Sequence, residues 1–207
     1  MVFNSIFFIF CFLPVFMLIY YLVPGKLRNL LLFLGSLIFY AWGEPVYVIL
    51  MLFSSVFNYY MGAELERLYY DDRKQKINLI FSIIVNLGIL VFFKYYGFLL
   101  NTIGGITGIH IPHPELSLPI GLSFYTFRNL SYLFDIYLSK VNAQRNFLTF
   151  AVYSTMFPYT SAGPIVRYAD IEEQLDKRTI NISKFGTGAE LFVKGLAKKV
   201  ILADNLS

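Results

Sequence analysis

Long stretches of the chain carry no charged side chain, and several of them are interrupted by proline, glycine or a single charge. Residues 6–23 form one such stretch, and a helix of that length, rising about 1.5 Å per residue, nearly crosses the hydrocarbon core of a bilayer. Residues 146–166 form another, but Pro158, Gly163 and Pro164 interrupt a helix there. Backbone groups freed by such breaks are tolerated at membrane depth only where protein or a water-filled cavity satisfies them. The pattern therefore predicts a membrane protein whose broken helices handle a polar substrate, rather than a simple anchor.

Composition places the chain in the same class. Hydrophobic residues make up 57% of it and charged residues only 14%, whereas soluble domains have roughly 25% charged residues. A water-soluble chain of this size would have too little polar surface to hide 22 Phe and 16 Tyr. The sequence therefore predicts an all-α fold in contact with the lipid bilayer. We expect a polytopic transmembrane helical bundle with short, broken or re-entrant helices and an amphipathic surface helix.

Charge and cysteine content exclude several classes of protein. The net charge of +4 is small and the basic residues are scattered among short loops, which argues against a nucleic acid partner. Cys11 is the only cysteine, so the chain has no internal disulfide and no Cys-rich metal site. His110 and His113 flank Pro112 in a stretch that is not helical, so we predict no metal site.

The distribution of lysine and arginine predicts the orientation of the helices. The turn at residues 24–28 and the loop at residues 64–76 are basic, which places both in the cytoplasm and the N-terminus outside. Between them, residues 30–43 and 46–62 are predicted to form a helical hairpin, with Pro45 in the first turn of its second helix. A re-entrant hairpin is the alternative.

The remainder of the chain follows the same rules. Residues 77–93 are predicted to form a spanning helix that Lys94 ends, and residues 101–118, which lack Lys and Arg, to form an outer loop. Residues 119–137 are predicted to be helical. Residues 185–202 are predicted to form an amphipathic helix whose lysines meet anionic headgroups at the cytoplasmic surface.

Two charged side chains fall within the helix predicted at residues 119–137. An ionisable group inside a membrane costs about 2.5–3.5 kcal/mol on insertion scales, so such a group usually faces a cavity or a partner. Arg128 and Asp135 are seven residues apart and share roughly one helix face with Ser131. These three residues form a candidate polar seam. For Asp135, a place at the helix end by the membrane interface is the alternative.

A second candidate site lies at the end of the uncharged stretch 146–166. Gly163 and Pro164 predict a sharp bend at membrane depth or at its edge, and Arg167 follows. A guanidinium there can bind a carboxylate, a phosphate or a carbonyl oxygen, or it can anchor the helix end by snorkelling. The residue pattern leaves both roles open. Ser123 has no histidine partner within a plausible local frame, so a nucleophilic serine is not supported.

Several motifs together resemble the membrane-bound O-acyltransferases, in particular their bacterial branch of the alginate O-acetyltransferase type. In chain order, the motifs are residues 1–14, 39–45, 92–95, 118–124, 143–147, 162–168 and 195–199. Their order and spacing make the resemblance specific, and it covers the whole chain. Two departures touch the candidate sites. The branch more often has an uncharged polar residue at Arg128, and Thr160 and Ser161 stand in place of larger apolar residues.

The resemblance implies that residues 1–207 are the N-terminal part of a single acyltransferase domain. Family members are about twice as long, and their functional histidine, which would act as general base, lies in the second half. Neither histidine of this chain corresponds to it. The catalytic residue is therefore expected beyond Ser207, and residues 1–207 alone are expected to be inactive.

The resemblance also implies a reaction and a location. An acyl group, expected to be acetyl, passes from a cytoplasmic donor such as acetyl-CoA across the bacterial inner membrane. On the outer side it is transferred for the O-acetylation of an exopolysaccharide such as alginate. No bound cofactor is expected, whereas an extracytoplasmic acetyltransferase or other polysaccharide-modifying protein is expected as partner. The residues expected to bind substrate or line the tunnel are Ser123, Arg128, Ser131, Asp135, Gly163, Pro164 and Arg167.

Other functions stay open from the sequence. D-alanyl transfer to teichoic acid is a neighbouring function in the same family. A transporter or channel subunit also contains interrupted helices, but a transporter would show an inverted repeat, and residues 6–62 and 77–166 show no self-similarity. A purely structural membrane subunit would need no buried arginine.

Overall fold

The computed structural model describes residues 5–107, 118–160, 165–178 and 181–203, and all regular secondary structure within these ranges is helical. This confirms the predicted all-α class. In chain order the α-helices of these ranges are α1 (Leu13–Leu22), α2 (Arg28–Gly43), α3 (Val48–Arg67), α4 (Asp72–Thr107), α5 (Leu122–Tyr137), α6 (Phe147–Thr155), α7 (Tyr168–Asp176) and α8 (Ile182–Ala197). A π-helical turn, Phe8–Phe12, precedes α1, another, Lys198–Ala203, follows α8, and a short 3-10 helix, Phe157–Tyr159, follows α6.

The predicted hairpin at residues 30–62 is confirmed as α2 and α3, but its turn differs from the prediction. Pro45 lies in the turn before α3 rather than in the first turn of that helix. The backbone of Glu44 lies outside the helical region, with φ −144° and ψ 76°. A residue before proline is disfavoured in the helical region, so the chain needs a few residues to turn before α3 begins.

Helix α4 is much longer than predicted and includes parts of the two predicted loops that flank it. It continues past Lys94 without a break and includes residues 101–107, while residues 108–117 of the predicted outer loop lie outside the described residues. Lysine is a good helix former, and the Lys94 ammonium lies 5.5 Å from the centre of the Tyr95 ring, so this charge need not end the helix. The predicted loop at residues 64–76 shrinks to four residues, 68–71, because α3 and α4 both extend into it.

The start of α4 is stabilised by its flanking residue. The Asp71 carboxylate accepts a hydrogen bond from the backbone N–H of Lys74 at 3.1 Å, as an N-cap residue does. Because Lys74 also donates from its side chain, the pKa of the Asp71 carboxyl is lowered from its usual value. The acidic residues of this basic loop therefore begin a helix rather than lengthen a loop.

Helix α5 lies at the centre of the bundle. It packs against α3 on one side and α4 on another, while α6 packs against α2 and α3, and α7 lies across α5 and α6. The predicted break in the stretch 146–166 is confirmed, since α6 ends at Thr155 and the 3-10 helix containing Pro158 follows.

Helix α8 corresponds to the predicted amphipathic helix. Along α8 only Leu196 is even half-buried, and the other side chains are exposed. The ring of Phe185 lies 5.6 Å from that of Tyr21 in α1. The helix is therefore peripheral to the bundle.

Within the described part of the chain, two helices are long and apolar enough to cross a membrane, judged by length and composition: α3 and the part of α4 from Asp72 to Thr102. The apolar helix Phe8–Leu22 is shorter. Large apolar side chains on the outside of these helices are exposed, among them Ile6, Phe10, Leu18, Leu22, Ile49, Phe53, Ile77, Phe81, Ile84 and Phe98. Contiguous exposed apolar surface of this kind is unusual for a soluble monomer.

Candidate functional site

Helix α5 carries most of the predicted site residues into the bundle. Its N-cap residue is Gly121, whose φ of +75° lies in the left-handed region that glycine adopts without a Cβ penalty. A Cβ on Gly121 would lie 2.1 Å from the carbonyl oxygen of Thr160, so glycine also lets two backbones approach closely. Arg128 and Asp135 are buried on this helix, whereas Ser123 and Ser131 are half-buried.

The Arg128 guanidinium binds backbone carbonyls. Its side chain is 2% exposed, and Nη1 donates to the carbonyl oxygens of Tyr153 at 3.1 Å and Ser154 at 3.2 Å. The other terminal nitrogen, Nη2, donates to the carbonyl oxygen of Tyr159. The guanidinium also lies 5.4 Å from the centre of the Tyr159 ring. All these acceptors belong to α6 and the 3-10 helix after it.

These contacts satisfy the carbonyls at the C-terminal end of α6, which have no partner within the helix. The Val152 carbonyl accepts from Met156 N at 2.9 Å, and the next two carbonyls are those that Arg128 binds. The Thr155 carbonyl accepts from Thr160 Oγ1 at 3.1 Å. A cation at a helix C-terminus also interacts favourably with the helix dipole. Arg128 therefore closes a helix that ends inside the protein.

A pair of asparagine amides joins α3 to α4. Asn58 Nδ2 donates to Asn86 Oδ1 at 3.0 Å, and Asn86 Nδ2 donates to Asn58 Oδ1 at 2.9 Å. Each amide also donates to a carbonyl one turn earlier in its own helix, at Ser54 and Ser82, both at 2.8 Å. Both side chains are buried, at 0% and 3% exposed. The oxygen and the nitrogen of each amide are therefore hydrogen-bonded, which offsets the cost of burying them away from water.

Further buried hydrogen bonds connect α3 to α5 and α6 beside this asparagine pair. Asn129 Nδ2 donates to Ser54 Oγ at 3.1 Å, and Ser55 Oγ lies 3.0 Å from Ser154 Oγ. Asn129 Oδ1 is buried without a hydrogen-bond partner within the described ranges. Sequence reasoning missed Asn58 and Asn129. The signal was present in the spacing of Ser54 and Asn58, four residues apart in an apolar run, which places both on one helix face.

Asp135 lies near the other end of α5. Its side chain is buried, and Oδ1 lies 3.9 Å from the ammonium of Lys140, which is half exposed beyond the end of the helix. This contact fits the alternative that the sequence left open, an end-of-helix residue near the interface. The polar groups that Arg128 binds are backbone carbonyls of α6 and of the 3-10 helix after it, and Asp135 is a separate group.

Arg167 lies at the N-cap position of α7 with an exposed side chain and extended backbone, φ −76° and ψ 148°. Its neighbours are held in place. The carbonyl of Val166 accepts from the Tyr153 hydroxyl at 3.2 Å, and the Tyr168 hydroxyl accepts from Gln144 Nε2 at 2.7 Å. Gly163 and Pro164, the predicted bend, lie outside the described residues.

Tyr168, the first residue of α7, is the centre of a buried aromatic cluster. Its ring centre lies 5.1 Å from that of Tyr132 and 5.2 Å from that of Tyr153, both nearly edge to face. The Tyr132 ring lies 4.7 Å from Phe150. All four rings are buried. Edge-to-face pairs are favourable for aromatic rings, so the cluster holds α5, α6 and α7 together next to Arg167.

Within the described ranges, no group of three or more His, Cys, Asp or Glu side chains is placed to hold a metal ion. His110 and His113 lie outside these ranges.

A surface depression of about 620 Å³ lies at the C-terminal end of α3. Its walls are Tyr60, Ala63, Glu64, Glu66, Arg67 and Arg145. Each arginine pairs with one of the glutamates, at 3.3 and 2.9 Å, and both arginines are exposed. Exposed ion pairs of this kind contribute little to stability, and the depression presents balanced charge to a ligand.

Comparison with known proteins identifies relatives along the whole chain. A probable alginate O-acetylase of Pseudomonas aeruginosa is 38% identical over 211 residues, covering 100% of this chain and 41% of the relative. That of Azotobacter vinelandii is 37% identical, covering 100% of the chain and 42% of the relative. A peptidoglycan O-acetyltransferase of Helicobacter pylori is 32% identical over 237 residues, covering 99% of the chain and 45% of the relative. No family model and no solved structure matches the chain.

The chain thus spans less than half the length of these relatives, between 41% and 45%. Identity above 30% along the whole chain shows common descent with them, while the larger part of each relative has no counterpart in residues 1–207.

Proposed function

Because the chain belongs to the membrane-bound O-acyltransferase family, we propose that it is the N-terminal part of an enzyme that O-acetylates an exopolysaccharide such as alginate. The observation that carries the proposal is the similarity of the whole chain to relatives that are named alginate O-acetylases.

We place the protein in the bacterial inner membrane, crossing it several times with the N-terminus outside. Helix α4, with 36 residues, is roughly 54 Å long at 1.5 Å per residue, which exceeds a hydrocarbon core of about 30 Å. Its exposed side chains are largely apolar from Ile77 onwards, and its first turn is charged. These features support a spanning helix whose charged start, together with the basic loop before it, lies in the cytoplasm.

The proposed acyl donor is cytoplasmic, such as acetyl-CoA, and acts as substrate rather than as a bound cofactor. Ser123, Arg128, Ser131, Gly163 and Pro164 are proposed to line the path of the acyl group. Arg167 would bind an oxygen-rich group of the donor or acceptor, which its exposed guanidinium and fixed backbone support. The catalytic histidine would lie beyond Ser207, and an extracytoplasmic protein would complete the modification of the polymer.

The test uses the full-length protein in its own organism. Deletion of the gene is expected to remove O-acetyl groups from the exopolysaccharide, measured by NMR of the purified polymer, and the full-length gene to restore them. The segment 1–207 alone is expected not to restore them. A deletion strain with unchanged O-acetyl content in its polysaccharides would refute the proposed function.

Arg167→Ala in the full-length protein tests the binding role of this residue. We expect O-acetylation to fall to the level of the deletion strain while the amount of protein in the membrane stays the same. Arg178→Ala is the matched control, because Arg178 lies beyond the other end of α7 and donates to the carbonyl of Gln174 in that helix. Unchanged acetylation with Arg167→Ala would leave Arg167 as an anchor of the helix end.

Peptidoglycan is a second candidate acceptor, since the Helicobacter pylori relative is named a peptidoglycan O-acetyltransferase. The same deletion strain distinguishes the two acceptors. Loss of O-acetyl groups from isolated peptidoglycan, with those of the exopolysaccharide unchanged, would favour the second candidate.

A further inference from the structure

We propose that Arg128 and Tyr153 form a reciprocal pair that positions Arg167 by fixing the chain on both sides of residues 160–165. The role of Arg167 as a binding residue rests on the proposed function. The positioning itself does not, and it is tested below by a measurement that needs no substrate.

The pair is reciprocal because each side chain binds the backbone of the other residue. Arg128 Nη1 donates to the Tyr153 carbonyl at 3.1 Å, and the Tyr153 hydroxyl donates to the Arg128 carbonyl at 3.2 Å. Both residues are buried, at 2% and 0% exposed. Charge-assisted hydrogen bonds are stronger than neutral ones, and water is excluded here, so α5 and α6 are held in one register at this point.

The same two side chains hold the chain before and after residues 160–165. Before them, Arg128 Nη2 binds the carbonyl of Tyr159 and the guanidinium lies against the Tyr159 ring. After them, the single hydrogen of the Tyr153 hydroxyl is shared between the carbonyls of Arg128 and Val166, each at 3.2 Å. Both contacts are made by the pair Arg128 and Tyr153, which are hydrogen-bonded to each other. The chain before residue 160 and the chain after residue 165 therefore cannot shift independently.

Arg167 follows the second of these contacts directly and is fixed from its other side as well. Tyr168 is 0% exposed, and its ring packs against that of Tyr153 at 5.2 Å. Arg167 is therefore an exposed residue between two fixed neighbours. An exposed arginine has several freely rotating side-chain bonds, so a fixed backbone limits the volume that its guanidinium can sample.

A double electron–electron resonance experiment tests the pair in the full-length protein, reconstituted in bilayers after its native cysteines are replaced. Spin labels are attached to cysteines introduced at Arg167 and at Phe134, an exposed residue of α5. Tyr153→Phe removes the hydroxyl and keeps the ring. We expect it to convert a narrow distance distribution into a broad one, because Val166 loses its hydrogen bond.

Tyr59→Phe is the matched control, since it also removes one hydroxyl that donates to a backbone carbonyl, that of Arg145 at 2.7 Å. It is expected to leave the distribution unchanged. Arg128→Lys, which keeps the charge but loses the forked donors, should broaden the distribution less than Arg128→Gln. The same distribution in Tyr153→Phe as in the parent protein would overturn the proposal. Equal broadening by Tyr153→Phe and Tyr59→Phe would overturn it too, because it would show general loosening.

O-acetylation of the polymer provides a second readout, without labels. Tyr153→Phe is expected to lower it several-fold and Tyr59→Phe to leave it unchanged. If the deletion strain shows that the proposed function is wrong, the distance measurement still decides whether the pair positions residue 167. Broadening with unchanged acetylation would show that positioning of Arg167 does not serve the reaction, which would overturn the functional part of the inference.

Discussion

Among the glycines that the structure describes, Gly121 has the closest approach of a neighbouring backbone atom to its Cβ position, which leaves little room for substitution. A Cβ there would lie 2.1 Å from the carbonyl oxygen of Thr160, more than about 1 Å inside an ordinary contact, and the atom it meets is backbone. Alanine would also have to keep φ at +75°, which costs about 1–2 kcal/mol. Overpacking against a fixed neighbour adds about 1–3 kcal/mol. Gly121→Ala should therefore destabilise the fold by about 2–5 kcal/mol, a large share of a typical stability of about 5–15 kcal/mol.

Thermal unfolding of the detergent-solubilised full-length protein, followed by size-exclusion chromatography after heating, measures this effect. Gly88→Ala is the matched control, because within the described residues nothing outside the adjoining backbone of α4 lies within 4 Å of its Cβ position, and alanine is a better helix former than glycine. We expect a Tm several degrees lower for Gly121→Ala and unchanged or slightly higher for Gly88→Ala. Equal Tm values for the two variants would refute the close approach of the α5 start to Thr160.

Two further predictions concern buried and charged groups. Asn58→Ala should cost about 1–3 kcal/mol, because the buried Asn86 Oδ1 loses its donor and one hydrogen of Asn86 Nδ2 loses its acceptor. A double-mutant cycle with Asn86→Ala, by thermal unfolding, should give a coupling of about 0.5–3 kcal/mol, and additivity would contradict the amide pair. Burial and the Asp176 charge raise the pKa of Glu172, so folding favours its protonated form and stability declines as pH rises from the unfolded pKa through the folded one. Glu172→Gln should therefore have a slightly higher Tm than the parent at pH 7, and the difference should vanish below about pH 4; a lower Tm at pH 7 would contradict it.

The sequence predicted where helices exist better than where they end. The hairpin of α2 and α3 and the break after α6 followed from proline and glycine, which act on the backbone locally. The predictions that a loop begins at Glu64 and that Lys94 ends a helix were wrong, because charged residues alone do not end a helix. Lysine, arginine and glutamate are good helix formers, so α4 continues through Lys94 without a cost in helix propensity.

The candidate site was predicted in part. A single charge in an apolar helix was enough to indicate that Arg128 is buried with a partner. Its partners could not be predicted, because they are backbone carbonyls, which every residue carries, and their availability depends on α6 ending beside α5. The asparagine pair was missed for a related reason. Its two members are 28 positions apart, and only the packing of α3 on α4 brings them together.

In the proposed membrane location, the hydrogen bonds at the end of α6 have a consequence for insertion into the bilayer. Each carbonyl left without a donor in hydrocarbon costs several kcal/mol, and two of those at the end of α6 depend on a guanidinium from α5. Arg128, in turn, has no acceptors in lipid until α6 arrives. Neither helix is therefore expected to be stable in the bilayer by itself. We expect α5 and α6 to leave the translocon together.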